Sequence, residues 1–268
     1  MTAATISDSA RIHPSAVVEP GARIGAGVVV GPFSLIGPEV VLAEGVVLKS
    51  HAVVTGRTEI GPGTVIYPFA VVGEVPQDLK YKGEKTRLVV GARCQIREGA
   101  TLSIGTTGGG GVTRLGDDCL LMTGAHIGHD AQIGNRVVLA NQVAIAGHCQ
   151  IGDDVIIGGL SGIHQWVRIG HGAIIGAVTM VTNDVMPHGL VQGPRGELDG
   201  LNLVGLKRRG VARAEISALR AAYQALGHGE GSFIDRARAL ASSSESPMVR
   251  EICAFILADS DRSFLTPK

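Results

Sequence analysis

The chain has 268 residues, of which 39 are glycine, 45% are hydrophobic and only 3% are aromatic, so its core must consist of small and aliphatic side chains. Basic and acidic residues balance at 24 each, which argues against a protein that binds nucleic acid. The first residues carry no export signal, and no apolar run reaches the roughly 20 residues that cross a bilayer. We therefore predict a cytoplasmic protein without integral membrane association, whose four cysteines are buried thiols.

Aliphatic residues recur at every sixth position over residues 12–72 and 90–102, and again, one residue out of phase, over 115–181. This period matches no helix, whereas short strands with a small and an aliphatic residue facing inward account for it. The hexads resemble those of left-handed parallel β-helix acyltransferases, in which about three hexads complete one triangular coil. The prediction is a mainly β fold, a left-handed parallel β-helix of hexapeptide repeats with a small C-terminal α-helical domain.

The hexad pattern breaks at two places, about 73–87 and 103–114, which we interpret as loops that leave the coil. After residue 187 the hexads stop, and helical periodicity appears over 212–226, 232–241 and 247–258. We therefore predict two domains, a β-helix over residues 1–186 and a helical domain over 187–268.

The segment 125–130 contains two histidines and an aspartate around one aliphatic residue. His129 follows the inward-facing Ile127 by two positions, so we expect it at a corner of the coil, where a neutral imidazole can accept a proton from a hydroxyl group. With about eighteen residues in a coil, Gly147 would lie next to His129 and could offer its backbone N–H to an oxyanion. Each histidine taken alone could equally be a solvated surface residue, but His126, His129, His148 and His164 cluster along one edge.

Three segments, 73–81, 125–130 and 205–210, closely resemble the UDP-N-acetylglucosamine O-acyltransferases, which open lipid A biosynthesis. The resemblance covers nearly the whole chain. It implies direct transfer of an (R)-3-hydroxyacyl group from acyl carrier protein to the 3-position of UDP-N-acetylglucosamine. It also implies a homotrimer with active sites between neighbouring β-helices, and no metal or cofactor apart from the carrier-protein thioester as co-substrate.

Residue by residue, the resemblance implies that His129 is the general base, that Asp130 orients it and that the backbone N–H of Gly147 binds the oxyanion. Arg208 is expected on the diphosphate, where a guanidinium fork suits the oxygens. The implied substrate-binding residues are Gln77, Asp78, Lys80, Ser103, His126, His148, His164, Gln165, Asn202 and Arg208.

The sequence departs from the family pattern at three positions. Ser103 stands where some members have a histidine, which leaves open an acceptor with a 3-amino group and amide formation. Val204 stands where a glutamate is common, on the nucleotide side of the site. Ala177 stands where a glycine in some members leaves room for the end of the acyl chain, so it predicts either a shorter acyl group or ordinary coil packing.

Other functions also fit parts of the pattern. A zinc enzyme of the left-handed β-helix carbonic anhydrase type, which builds histidine sites between trimer subunits, could use His126, His129 and His148 as its three ligands. Another hexapeptide acyltransferase, or a β-helix that serves only as a binding platform, is a further alternative. The basic run 207–209 is either a solvated face or a site for the acidic carrier protein or a diphosphate, and we favour the diphosphate.

Overall fold

The computed structural model describes residues 3–267, which fold into three mostly parallel β-sheets followed by short α-helices. Sheet 1 contains β1 Thr5–Ile6, β4 Arg23–Ile24, β7 Val41–Leu42, β10 Thr58–Ile60, β13 Arg87–Val90, β16 Val112–Leu115, β19 Gln132–Ile133, β22 Gln150–Ile151 and β25 Arg168–Ile169. Sheet 2 contains β2 Arg11–Ile12, β5 Val29–Val30, β8 Val47–Leu48, β11 Val65–Ile66, β14 Gln95–Ile96, β17 Leu120–Leu121, β20 Val138–Leu139, β23 Ile156–Ile157, β26 Ile174–Ile175, β28 Gly189–Gln192 and β29 Glu197–Leu201. Sheet 3 contains β3 Val17–Val18, β6 Leu35–Ile36, β9 Val53–Val54, β12 Val71–Glu74, β15 Thr101–Ser103, β18 His126–Ile127, β21 Ala144–Ile145, β24 Gly162–Ile163 and β27 Met180–Val181.

Successive strands of the chain visit the three sheets in turn, so each coil lies on the preceding one. Ile127 pairs with Ile145, which pairs with Ile163, and all three are buried. The inward positions of the hexads therefore form continuous columns of aliphatic and small side chains, which exclude water along the length of the β-helix. Residues eighteen apart lie next to each other in neighbouring coils, as predicted.

The two predicted loops interrupt the coil where the hexad pattern breaks. The first leaves sheet 3 after β12 and returns at β13, and the second leaves after β15, contains a 3-10 helix at Thr107–Gly109 and returns at β16. Across the first loop, neighbouring residues such as Thr64 and Cys94 are 30 apart, and across the second, Ala92 and Asp117 are 25 apart. The first separation exceeds the eighteen residues of a regular coil by 30 − 18 = 12 residues, which is two whole hexads, so the hexad phase is kept. The second exceeds it by 25 − 18 = 7 residues, one more than a hexad, which explains the one-residue change of phase.

The C-terminal part begins with β28, which pairs in parallel with β26 and antiparallel with β29, so sheet 2 continues past residue 186. The helices are α1 Leu203–Arg208, α2 Arg213–Gly227, α3 Phe233–Ser243 and α4 Pro247–Leu257. The last three confirm the predicted helices, whereas α1 was not predicted. The division into two domains at residue 186 stays a prediction. Over residues 3–267, no helix has the length and apolar character to span a bilayer; the cytoplasmic location stays a prediction as well.

Candidate active site

His129 lies at the corner between β18 of sheet 3 and β19 of sheet 1, as its spacing from Ile127 predicted. Its side chain is not solvated, because only 6% of the residue is exposed. The first loop lies over the ring, with Asp78 Oδ2 4.0 Å from His129 Nε2. The alternative of a solvated surface histidine is therefore wrong for His129, and the cause is a loop contact that spacing along the coil does not reveal.

Asp130 determines which nitrogen of His129 carries a proton. Its carboxylate accepts hydrogen bonds from the backbone N–H of Thr106 at 2.9 and 3.0 Å and from the Thr106 hydroxyl at 2.6 Å, and it lies 2.9 Å from His129 Nδ1. A carboxylate that accepts these bonds requires Nδ1 to be a donor, so in the neutral ring Nε2 is the nitrogen without a proton. The arrangement gives His129 a free basic atom and a fixed ring orientation, as a general base requires.

We expect Thr106→Val to lower kcat/KM for acyl transfer by roughly tenfold, because loss of a buried partner of an orienting group loosens the group that it orients. The backbone N–H of Thr106 remains, so the carboxylate keeps part of its support. Steady-state kinetics would measure the change, with Thr5→Val in the first strand as the matched control. Unchanged kinetics in Thr106→Val would show that Asp130 does not need this hydroxyl.

Gly147 lies beside His129 in the next coil. A Cβ atom at this position would come within 2.6 Å of both His129 Cε1 and Nε2, so only glycine leaves room for the ring. Among residues 3–267, no protein acceptor forms a hydrogen bond with the Gly147 backbone N–H. An unpaired N–H beside a general base is suited to bind a developing oxyanion.

His148 and His126 flank the base. The His148 ring meets His129 edge to face at 4.8 Å and stacks on Trp166 at 3.9 Å, with only 3° between the planes. His126 Nδ1 lies 2.8 Å from the Thr101 hydroxyl. Burial lowers the pKa of His148 and, with a smaller effect of His129, the pKa of His126. Both rings are therefore favoured in their neutral forms and can donate or accept a hydrogen bond.

Two cavities adjoin this cluster. The first, of about 380 Å³, is lined by predicted residues that include Gln77, Ser103, His126, His129, Gly147, His164 and Gln165. The second, of about 320 Å³, is lined by Asp78, Lys80 and His148 together with residues that the sequence did not single out, among them Tyr81, Thr106 and Trp166. The structure thus brings the predicted catalytic residues together with all predicted substrate-binding residues of the coil and the first loop.

Besides Asp130, which is buried beside His129, three predicted residues line neither cavity. Asn202 is 5% exposed and caps α1, with its Oδ1 accepting from Gly205 N at 2.9 Å and its Nδ2 donating to Gly172 O at 2.9 Å. Arg208 lies exposed at the end of α1, and Ala177 lies exposed between β26 and β27. The nucleotide and chain-length roles of these residues stay predictions.

Comparison with known proteins assigns the chain to a family. The description "Bacterial transferase hexapeptide (six repeats)" matches residues 3–38 and 113–147, and "Udp N-acetylglucosamine O-acyltransferase; Domain 2" matches residues 184–265. A protein of Rhizobium johnstonii named acyl-(acyl-carrier-protein)–UDP-N-acetylglucosamine O-acyltransferase is 49% identical over 265 residues, which cover 98% of this chain and 97% of that protein. The chain belongs to the UDP-N-acetylglucosamine O-acyltransferase family.

Two further members of the UDP-N-acetylglucosamine O-acyltransferase family support this assignment by sequence and by structure. A protein of Paracoccus denitrificans with the same name is 66% identical over 196 residues, which cover 73% of this chain and 74% of that protein. The solved UDP-N-acetylglucosamine acyltransferase from Campylobacter jejuni has a TM-score of 0.91 and 36% identity, and the match covers 96% of this chain and 100% of that chain. The predicted family and the predicted left-handed parallel β-helix with C-terminal helices are confirmed.

Membership of the UDP-N-acetylglucosamine O-acyltransferase family also bears on the zinc alternative. Ligand atoms of His129, Asp130 and His148 lie within 4.8 Å of one another, so His126 is not part of this group. The Asp130 carboxylate is already occupied by Thr106 and by His129 Nδ1. The three imidazoles are thus not brought together within one chain over residues 3–267, and a zinc site between subunits stays an open alternative. Family membership is what favours the acyltransferase interpretation.

Proposed function

We propose that the protein transfers an (R)-3-hydroxyacyl group from acyl carrier protein to the 3-hydroxyl of UDP-N-acetylglucosamine, the first step of lipid A biosynthesis. One observation carries this proposal in a member of this family: the His129 ring, oriented by Asp130, lies beside the unpaired backbone N–H of Gly147. The names of the relatives supply the acyl carrier protein and the UDP-sugar.

In the proposed reaction, His129 Nε2 removes the proton from the sugar 3-hydroxyl while the oxygen attacks the thioester carbonyl carbon. The carbonyl oxygen becomes an oxyanion and accepts a hydrogen bond from Gly147 N–H. Collapse of this intermediate breaks the C–S bond, and the departing carrier-protein thiolate takes the proton from His129. The products are the 3-O-acylated sugar and the free carrier-protein thiol, and no protein residue is acylated.

The other residues around the two cavities are proposed to bind and orient the substrates. Asp78 and Lys80 of the first loop offer a carboxylate and an ammonium group to sugar hydroxyls, with Gln77 beside them. Arg208 is proposed to bind the diphosphate of the nucleotide. Arg208 lines neither cavity of its own chain, so this role requires that α1 reach the cleft of a neighbouring subunit.

The O-acyltransferase names of the relatives favour a hydroxyl acceptor over the 3-amino alternative that Ser103 left open. The test is to incubate the protein with (R)-3-hydroxyacyl carrier proteins of several chain lengths and, separately, with UDP-N-acetylglucosamine or its 3-amino analogue. Product masses would identify the acceptor and the acyl length. We expect the ester to form faster than the amide; no transfer to either sugar by an intact, folded protein would contradict the proposed function.

A homotrimer is also part of the proposal, and an exposed apolar ridge supports it. The corner between sheets 2 and 3 carries four large apolar side chains, each between 62% and 66% exposed: Phe33, Phe69, Leu160 and Val178. They form two parts of this corner ridge, one at Phe33 and Phe69 and one at Leu160 and Val178, with Gly99, Gly124 and Gln142 between the two parts. Large apolar side chains at repeated exposed positions are typical of a surface that another subunit covers. This corner ridge is therefore proposed to contribute to contacts between subunits.

We expect Leu160→Glu to weaken the trimer by roughly 2 kcal/mol per subunit, because a buried leucine contributes about that much and a buried unpaired carboxylate is unfavourable. Sedimentation at decreasing protein concentration would show smaller species at concentrations where the unchanged protein remains trimeric. Ile6→Glu, which places the same charge on an exposed position of sheet 1, is the control. An unaltered trimer in Leu160→Glu would remove the corner ridge from the interface.

A further inference from the structure

The C-terminal segment that follows α4, residues 258–267, runs back over the β-helix. The Asp184 N–H donates to Ser263 O at 2.9 Å, and the Leu265 N–H donates to Asp184 O at 2.8 Å. The Ser260 hydroxyl also donates to Asp184 Oδ2 at 2.6 Å. Backbone and side-chain hydrogen bonds therefore attach this C-terminal segment to one residue of the coil.

Asp184 is itself held firmly. It is fully buried, and it accepts hydrogen bonds from the backbone N–H of Arg168 at 2.8 Å and from Arg168 Nε at 2.6 Å. The Arg168 guanidinium lies over the rings of Phe255 and Phe264, at 4.8 and 5.6 Å from their centroids. The C-terminal segment is thus held by its hydrogen bonds to Asp184, by the buried ion pair of Asp184 with Arg168, and by the contact of Phe264 with that guanidinium. These contacts fix the position of the residues between Ser260 and Ser263.

Arg262, within this segment, contacts a residue that lines the active-site cavity. Its Nη2 lies 2.7 Å from His164 Nδ1, and His164 lines the same cavity as His129 and Gly147. A guanidinium has only donors and stays protonated, so His164 Nδ1 must accept this hydrogen bond. The neutral ring then carries its proton on Nε2. Without Arg262, a proton on Nδ1 could instead be donated to Gln165 O, 3.2 Å away.

We propose that Arg262 is a positioning residue that selects the Nε2–H tautomer of His164, so that His164 donates a hydrogen bond to an oxygen of the substrate bound in the cavity. Arg262 acts through His164. The proposal rests on the proposed function for its ligand, but the tautomer itself is a property of the free protein. The C-terminal segment thereby has a role in the active site, since it orients a histidine of the β-helix.

Nitrogen NMR of histidine-labelled protein without substrate tests the tautomer, with the His164 signals assigned by their loss in His164→Gln. We expect Nε2 protonation in the unchanged protein and a shift toward Nδ1 protonation in Arg262→Met, which keeps an unbranched aliphatic chain and removes the donors. Arg262→Lys retains a cationic donor and should preserve the tautomer at least in part. Asp261→Asn, at the neighbouring exposed position, should leave the His164 signals unchanged.

The kinetic arm measures kcat and KM separately. We expect Arg262→Met to lower kcat/KM by about three- to tenfold, the usual effect of one lost hydrogen bond, with partial recovery in Arg262→Lys and none of this change in Asp261→Asn. An unchanged tautomer in a folded Arg262→Met protein would overturn the proposal, as would unchanged kinetics. Absence of acyl transfer in the unchanged protein would instead refute the proposed function, while the NMR result would still decide whether Arg262 sets the His164 tautomer.

Discussion

His129→Gln is expected to lower kcat/KM for acyl transfer by about 10²- to 10⁴-fold, the usual contribution of a general base. Glutamine can keep a hydrogen bond to Asp130, but it offers no basic atom at the position of Nε2. Most of the loss should fall on kcat, since the cavity lining and the Gly147 N–H remain in place. Initial rates at several concentrations of both substrates would separate the two parameters.

His13→Gln is the matched control for this substitution. His13 is exposed near the start of the coil, where its Nδ1 lies 2.8 Å from the Ser15 hydroxyl, far along the chain from the candidate site. The kinetic constants of the His13→Gln protein should equal those of the unchanged protein. If His129→Gln kept kcat/KM within threefold of the unchanged protein while remaining folded, another group would have to serve as the base.

Gly147→Ala should have the second largest effect on the rate of acyl transfer. The added Cβ would meet two ring atoms of His129 at 2.6 Å, so either the imidazole or the coil must move. Displacement disturbs the base and the proposed oxyanion donor together, and loss of one such donor alone lowers kcat by about 10²- to 10³-fold. We expect a fall of at least this size, measured as kcat at saturating substrate and compared with the thermal midpoint.

Gly200→Ala controls for the effect of a glycine replacement as such. A Cβ at Gly200 meets no atom within 4 Å, so activity and stability should stay close to those of the unchanged protein. A Gly147→Ala protein that retained both its activity and its thermal midpoint would mean that the ring has room to move without loss of function. That outcome would contradict the tight packing of His129 against the next coil.

Much of the site could be predicted because a solenoid repeats. Once the resemblance to left-handed β-helix acyltransferases implies three hexads per coil, a fixed length of eighteen residues converts sequence spacing into spatial neighbours. The pairing of His129 with Gly147 follows from this coil length. Neighbours of this kind need no knowledge of how distant segments pack. The same regularity made the fold class and the positions of both loops readable from the chain.

Contacts made outside the repeat could not be predicted in this way. Thr106 reaches Asp130 from a loop across 24 residues, and Arg262 reaches His164 across 98 residues. No spacing rule relates such pairs, because their approach depends on how a loop or the C-terminal segment folds over the coil. Asn202 has a structural role that the sequence reasoning did not anticipate: it precedes the unpredicted helix α1, and its side chain accepts from the Gly205 N–H as an N-cap. Its nucleotide-binding role stays a prediction.

Direct acyl transfer assisted by His129 can be tested by following one turnover of (R)-3-hydroxyacyl carrier protein and UDP-N-acetylglucosamine with mass spectrometry of all components. We expect each acylated sugar to appear together with one free carrier-protein thiol, and the intact mass of the enzyme to stay constant. His129→Gln should suppress both products equally. An acylated enzyme during turnover, or loss of the thioester without acylated sugar, would contradict direct transfer assisted by His129.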